Sequence, residues 1–468
     1  MTNFLEQQTK PKLTKIVAVI ALLVFMPLLL FGTQEIVTLL TKASGTPARI
    51  IVNTKLTLEE LDVNFYHAFA QGGEEPGVNM IKPVTDQVRS LRPKLIRIDH
   101  IYDQHHVVSK SGGQLSFDWS NLDESVNTIL ATGAKPLLTL SYMPAAIAKD
   151  GNIINPPNDW NDWATVVQKT IEHYSGHSGK NLSGVFYEVW NEPDLAQFGG
   201  WKYGGEKNYI TLYQYASTGA RRAQGVNTFY IGGPATTGLY KSWIIALINS
   251  GSRIDFLSWH TYQRDPAKYD QDQQDIISWL LPYPSYTLIP KLITEFGFTG
   301  DKSPGYGTMY AAAHTAAVIR QLISGGPTYA FSFQPKDGPL QSAGNGWGLI
   351  THEDNGLKPK PRYYIYNFID GMAGKRVSLS GEGTWVTGFA STKNDVLRVL
   401  LVNYDINGTH SEVVPVTFGN LDPGKYTYRQ RFFLGQDVKI TEEASESAIQ
   451  KNILMPASSI VMLELTKQ

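Results

Sequence analysis

Cysteine is absent from the 468-residue chain, which excludes disulfide staples, thiolate nucleophiles and cysteine-ligated metal centres. The same absence leaves the compartment open, because a bacterial exported protein can also lack cysteine. An excess of charge of either sign is missing too. The 41 basic and 42 acidic residues leave a formal charge of −1, and only 18% of the chain is charged. Nothing therefore points to nucleic acid or another strongly charged partner, and a neutral or weakly charged ligand fits better. No repeat of fixed period and no long low-complexity tract interrupts the sequence. What is present is apolar and aromatic. Hydrophobic residues make up 42% of the chain, ample for the cores of two to three domains at this length. Aromatics reach 11%, with 10 Trp and 24 Tyr, a content that suits stacking clefts and large buried cores alike.

One long uncharged run stands near the amino terminus. "IVAVIALLVFMPLLLFG", Ile16 to Gly32, follows Lys10, Lys12 and Lys15 and is long enough to cross a bilayer with slight thinning. It reads as an uncleaved membrane anchor. A cleaved secretory signal is the rival, but its apolar region is usually shorter, and no A-x-A pattern follows Gly32. Lysines on the amino side predict a single-pass protein of the cytoplasmic membrane with everything after Gly32 extracytoplasmic, or a secreted protein if the segment is cleaved.

Downstream, apolar runs alternate with helical patterns. "PKLIRIDHIYD" reads as a strand, and the helix that follows, Asn121 to Gly133, carries Leu122, Val126, Ile129 and Leu130 on one face. "AKPLLTLSYMP", "GVFYEVW", "FYIGGPAT", "IDFLSWHTY", "KLITEFGF" and "TYAFSFQP" continue the series, with a first strand near "NFYHAFA". Eight strands separated by helices predict a (β/α)8 TIM barrel. From about Lys375 the alternation stops, and short strands divided by "KND", "DINGT" and "DPG" predict a β-sandwich. The expected organisation is a tail, anchor and tether over 1–45, a barrel over 46–374 and a sandwich over 375–468, to which "ARIIVN" ahead of the barrel can add a strand.

Barrel chemistry is assembled at the carboxyl ends of the strands. Glu192, in "GVFYEVWNEPD", stands between an Asn and a Pro directly after an apolar run. A central strand accommodates neither the Pro nor an unpaired buried charge, so the strand must end there with Glu192 at the rim. Glu295 ends another apolar run about a hundred residues later. Two carboxylates facing one mouth suit glycoside hydrolysis, one protonated to help the leaving oxygen depart and one ionised to attack the anomeric carbon. The bland alternative is an ion pair at a strand end. Asn191 can donate to a sugar 2-hydroxyl. Tyr262 and Arg97 can hold Glu295 ionised. His260 either couples to Glu192 or is a satisfied barrel-top histidine, and Tyr142 either lines the site or packs. Trp160, Trp163, Trp190, Trp201 and Trp347 are stacking candidates, although Trp163 lies in a helical stripe. No cluster with metal-ligand spacing appears, and the expected chemistry needs no cofactor.

"YEVWNEPD", "LRPKLIRIDHIYD", "LSYMP", "FLSWHTY" and "ITEFG" resemble the strand ends of glycoside hydrolase family 39, within the clan of retaining barrel glycosidases that share an N-E-P motif. "WNDWATVVQKTIEHY" and "GLITHEDNGLKPKPRYYIYNFID" resemble that family as well, and the likeness spans about Val63 to Gly371. The resemblance implies that Glu192 is the acid/base, Glu295 the nucleophile, and Asn191, His260 and Tyr262 supporting contacts. Two positions depart from it. Asp99 in "IRID" stands where family xylosidases tend to carry a His, so it can alter the sugar subsite, and "AFSFQP" lacks the Trp that commonly floors the sugar site. The expectation is a retaining glycosidase acting on a β-linked carbohydrate, with an endo-acting enzyme on exopolysaccharide as plausible as a xylosidase. The rivals are a non-catalytic carbohydrate-binding or assembly protein and a transglycosylase. Oligomeric state is left open.

Overall fold

The computed structural model describes residues 45–339, 345–444 and 447–468. The expected membrane segment, Ile16 to Gly32, lies outside the described residues, and among those described no helix is long and apolar enough to cross a membrane.

The strands in chain order are β1 (Ile50–Leu61), β2 (Ala68–Gln71), β3 (Leu95–Ile98), the hairpin β4 (Val108–Ser111) and β5 (Gln114–Phe117), β6 (Lys135–Leu140), β7 (Val185–Val189), β8 (Phe229–Thr236), β9 (Phe256–Tyr262), β10 (Lys291–Gly297) and β11 (Thr328–Phe333). Then follow β12 (Gly374–Ser380), β13 (Val386–Lys393), β14 (Val396–Asn403), β15 (Glu412–Gly419), β16 (Gly424–Phe432), β17 (Asp437–Ala444), β18 (Ala448–Met455) and β19 (Ile460–Lys467).

Eight of them close into a parallel barrel in the order β10-β11-β2-β3-β6-β7-β8-β9. Helices cover its outside, and their first turns show why they start where they do. Asp159, Asn208 and Thr308 each accept a hydrogen bond from the backbone N–H two residues on, capping Trp160–Ser175, Tyr209–Arg222 and Met309–Gly325,. Trp163, Val167, Ile171 and Tyr174 form the buried stripe of the first of these helices, so Trp163 is core.

The barrel interior is built in layers. Leu95, Leu137, Phe186, Phe256, Leu292 and Phe331 form an apolar plug across the lumen. Two residues further along their strands stand Arg97, Thr139, Glu188 and Ser258, all fully buried. Because strand side chains repeat with period two, these four occupy the layer directly above the plug. Charge thus enters the lumen one step below the mouth.

The second domain is a nine-stranded sheet in the order β17-β16-β19-β14-β13-β12-β1-β15-β18. Its two ends, β17 and β18, come back into contact, and a single core runs from Val52 through Val399, Val414, Tyr428 and Ile449 to Leu463. The sheet therefore folds over on itself, which protects its edges. The strand expected from "ARIIVN" is β1, which joins this sheet by pairing antiparallel with β12 and parallel with β15, so the barrel begins after it and not at residue 46. The physical reason is visible in its alternation. Ile50 and Val52 are buried while Ile51 is exposed, the pattern of a sheet with one wet face, whereas barrel strands are buried on both. The hairpin β4–β5, turned by Gly112 and Gly113 at φ of 56° and 82°, was not anticipated from the sequence.

Since β1 sits inside the sheet order, two truncations should differ. Removing residues 1–44 is expected to leave a protein with an unchanged melting profile. Removing residues 1–61 takes out a central strand and should abolish the cooperative unfolding of the second domain, read by calorimetry.

Candidate active site

The charged layer converges on Arg97. Its guanidinium, fully buried on β3, donates from Nε to Glu188 Oε2, from Nη1 to Glu295 Oε1 and from Nη2 to Asn191 Oδ1, each at 2.7 Å. A planar fork with fixed donor directions sets three neighbouring side chains at once. Because Asn191 presents its oxygen to Arg97, its Nδ2 is the end left to donate, and it does so to the Tyr142 hydroxyl at 2.9 Å. Glu188 also accepts from Thr139 Oγ1 at 3.2 Å.

Glu192 follows at the end of β7, on backbone that has turned out of strand geometry. Trp190 and Glu192 have φ of 73° and 41°, a region that side chains other than glycine occupy only under constraint. The constraint is a set of hydrogen bonds. Glu192 N donates to Ala235 O at 3.0 Å and Trp201 N to Pro193 O at 2.7 Å, while Asp194 Oδ1 accepts from Thr237 N at 3.1 Å. The turn is thus tied to the end of β8, with the Glu192 carboxyl held over the mouth.

Glu295 accepts from Tyr262 at 2.8 Å as well as from Arg97. His260 lies between the two carboxylates, its Nδ1 2.8 Å from Glu192 Oε1 and 3.6 Å from Glu295 Oε2. One carboxylate oxygen of Glu192, one of Glu295 and a ring nitrogen of His260 all lie within 4.8 Å of one another. This trio has the ligand types and spacing to hold a cation. The chain already supplies positive charge and donors at the same oxygens through Arg97, Tyr262 and His260, so the carboxylates do not need one.

Burial and charge act against each other here. Desolvation pushes the Glu295 carboxyl up, Glu192 and Asp99 add to the push, and His260 and Arg97 pull it back without cancelling it,. At Glu188 burial also pushes upward, but Arg97 and His260 overcome it and the carboxyl is held below its ordinary range. His260 loses basicity to burial and regains more from Glu295 and Glu192, ending above its ordinary value. Burial opposes the charge of Arg97, yet Glu188, Glu295 and Asp99 hold it firmly cationic. Desolvation and the neighbouring Glu295 push the half-buried Tyr262 well up, and it stays a donor.

Arg97, Tyr142, Asn191, Glu192, His260, Tyr262 and Glu295, all expected from the sequence, are brought into this one network. Tyr142 is buried, stacked on Phe198 at 5.7 Å and edge-on to Trp190 and His100, so it packs and bonds at once. Asp99 stands beside the network without joining it. Of the Trp candidates, Trp190 and Trp201 are fully buried against each other, and Trp160 stacks on Tyr215 between helices. Trp160 and Trp347 both stay partly exposed, and Trp347, edge-on to Phe333 at 5.6 Å, is the one that stands by the strand-eight end. Gln334, which follows Phe333, bonds to Gln71 at 2.7 Å and to Glu74. Glu188 was missed, although its position two residues after Phe186 is a signal: in a lumen-facing phase, an acidic residue requires a buried cation.

A family model, "Glycosyl hydrolases family 39", matches residues 79–395. A beta-xylosidase of Caldicellulosiruptor saccharolyticus is 28% identical over 306 residues, 58% of this chain and 60% of that one. A beta-xylosidase of Geobacillus stearothermophilus is 24% identical over 306 residues, 57% of this chain and 58% of that one. The chain thus spans about three fifths of the length of these curated relatives. Among solved structures, a monomeric beta-xylosidase from Caulobacter crescentus CB15 superposes with a TM-score of 0.73 at 20% identity, covering 90% of this chain and 100% of that one. A GH39 enzyme from Xanthomonas axonopodis pv. citri gives 0.71 at 17% identity, covering 90% and 98%. At these identities the structural likeness is one of fold. The matched sequence span takes in seven of the eight barrel strands and every residue of the charged network described above, and the chain belongs to glycosyl hydrolases family 39.

Proposed function

We propose that the protein is a glycoside hydrolase that cleaves β-glycosidic bonds with retention, by double displacement, with Glu295 as nucleophile and Glu192 as acid/base. The observation that carries the reading is the approach of the two carboxyl groups to within 4.8 Å. Retaining sites place their carboxyls about 5–5.5 Å apart, while inverting sites need about 6.5–9.5 Å to admit a water between them.

In the first step Glu295 attacks the anomeric carbon as Glu192 protonates the leaving oxygen. Arg97 and Tyr262 direct the Glu295 oxygens, and the guanidinium keeps the anion available in a buried site that otherwise favours the neutral acid. Esterification removes the Glu295 charge. Glu192, now ionised, takes a proton from the incoming water, and the second displacement restores the original anomeric configuration. Asn191 Nδ2 can donate to a sugar 2-hydroxyl, a hydrogen bond that strengthens as positive charge develops on the ring.

The two curated relatives, both beta-xylosidases, support a β-xyloside as one substrate. The changed residues at the ends of strands two and eight, together with the Lys-flanked run Ile16 to Gly32, support a second: a bacterial exopolysaccharide cut at the outer face of the cytoplasmic membrane. Incubation with aryl β-xylosides, aryl β-glucosides and acidic exopolysaccharides, followed by proton NMR of the first-formed sugar, tests the reading. The β-anomer should appear first and mutarotate to the mixture. An initial α-anomer would replace double displacement with inversion, and no product from any substrate would favour a binding role.

A further inference from the structure

The second domain touches the barrel rim through Tyr404, which the cleavage steps do not use. The chain leaves β14 in a turn locked on both sides of this residue. Asn403 is fully buried, and its Nδ2 lies 2.8 Å from His410 O and 2.9 Å from Met455 O and Pro456 O. Asp405 accepts from Asn407 N at 3.1 Å, Thr409 N at 3.0 Å and His410 N at 3.2 Å. Successive side chains of an extended chain point to opposite sides. With Asn403 bonded into its own domain, Tyr404 is sent the other way, toward the barrel. There it is 5% exposed, its ring 5.2 Å from Tyr310 and 5.3 Å from His314 between centroids, both on the helix Met309–Gly325.

The Tyr404 hydroxyl donates to Arg264 O at 2.8 Å. A carbonyl can only accept, so the one Tyr404 proton is committed there, and Tyr310 donates either to Tyr404 at 2.7 Å or to Ile406 O at 2.9 Å,. Burial and Tyr310 push the Tyr404 hydroxyl up, which keeps it a donor. One residue earlier, Gln263 O lies 2.8 Å from His314 Nε2, which carries the ring proton for the same reason. Burial pushes that imidazole down to about 3, so it is neutral. Gln263 and Arg264 are themselves exposed, so their carbonyl contacts, and not side-chain packing, fix where they run. They directly follow Tyr262, whose hydroxyl donates to Glu295 at 2.8 Å.

We propose that Tyr404 of the second domain, together with His314 of the barrel, is a positioning residue for the nucleophile. By fixing the carbonyls of Arg264 and Gln263, the two hold the end of β9 where the Tyr262 hydroxyl reaches Glu295. The second domain thereby takes part in the first displacement without touching the sugar. A hydrogen bond of 2.8 Å does not survive a shift of about 1 Å, and misplacement on that scale costs an enzyme up to about 100-fold. The proposal rests on the glycosidase reading and adds to it a role for the second domain.

The test is a double-mutant cycle in the full chain, read as kcat/KM on the best 4-nitrophenyl β-glycoside, which reports the steps up to attack by Glu295. Tyr404→Phe keeps the ring and loses the donor, and should cost about 10-fold. Tyr262→Phe should cost about 100-fold. In the Tyr262→Phe background, Tyr404→Phe should cost about 2-fold or less, because the bond through which it acts is already gone. His314→Leu should repeat the pattern, and it replaces Tyr404→Phe if that variant does not fold. Glu295 faces Arg97 and Asp99 from β3, Glu192 from the end of β7, and His260 and Tyr262 from β9. Of these contacts Tyr404→Phe loosens the one from Tyr262. A carboxylate that loses a donor holds its proton more tightly, so the acid limb of kcat/KM should move to higher pH by about 0.3 unit or more. Tyr262→Phe should move it further in the same direction. Equal losses in both backgrounds, or an acid limb that stays in place, would make Tyr404 a packing residue and overturn the positioning role while leaving the hydrolase reading in place. A wild-type protein inert toward every glycoside overturns the hydrolase reading and the positioning role together.

Discussion

Glu192→Ala should stall halfway through the reaction. On a dinitrophenyl glycoside, whose leaving group departs without a proton, attack by Glu295 continues, while release of the sugar slows by about 10²–10⁴-fold for want of a base. The glycosyl-enzyme should accumulate as a burst of one equivalent of dinitrophenol and a mass increment on a peptide carrying Glu295. Azide entering the space left by the carboxyl needs no base, so turnover should recover, and the glycosyl azide should keep the configuration of the substrate. Glu295→Ala should lose on the order of 10⁴-fold or more. Azide then attacks the substrate directly from the vacated side and yields the inverted product. Inverted azide from Glu192→Ala, or retained azide from Glu295→Ala, would exchange the two roles.

Arg97→Met should cost stability as well as activity. The guanidinium is completely buried, and so is Glu188, while Glu295 is nearly so. Replacing the cation with an apolar chain of similar length leaves two carboxylates without their shared partner. Breaking a buried ion pair from one side costs about 3–5 kcal/mol, which corresponds to a fall of about 10 °C in the melting temperature of the barrel. Adding Glu188→Gln removes one of the stranded charges, so the double variant should melt above Arg97→Met.

The pH dependence follows from the direction of the Glu188 shift. Its carboxyl is held low in the folded protein, so its contribution is fully present above the ordinary Glu range and is lost as pH falls through the depressed value. Glu295 is shifted upward and runs the other way, opposing the fold once pH exceeds its ordinary range. The gap in melting temperature between wild type and Arg97→Met should therefore be widest near neutrality and narrow in acid, where protonation relieves the stranded carboxyls. A gap independent of pH would show that Arg97 acts through packing alone.

These effects trace back to features that differ in how far the sequence exposes them. Eight apolar runs spaced by helical patterns were enough to place the barrel strands, and the Pro after Glu192 was enough to end β7 and bring a carboxylate to the rim. Local chemistry carries such information: a residue without an amide proton ends pairing wherever the chain goes. The companion site on Glu295 was legible for the same reason, since a barrel brings all its strand ends to one mouth.

The assignment of β1 shows where that reasoning stops. Its alternation marks a strand with one wet face, but which edge receives it depends on the gap between β12 and β15, strands more than 300 residues further along. The tryptophans behave likewise, because a tryptophan that stacks on a ligand and one packed on another tryptophan have the same sequence neighbours. Glu188 and Arg97 lie ninety-one residues apart and become partners only because closure sets β3, β6 and β7 side by side in register. The sequence by itself determined the kind of fold, the strand ends and the two carboxylates, because pattern and turn chemistry act over a few residues. Tertiary structure alone decided which charges share a proton or a cation, and that Arg97 gathers Glu188, Asn191 and Glu295 around one guanidinium. Each of those depends on distances across the barrel mouth that the register of separate strands sets.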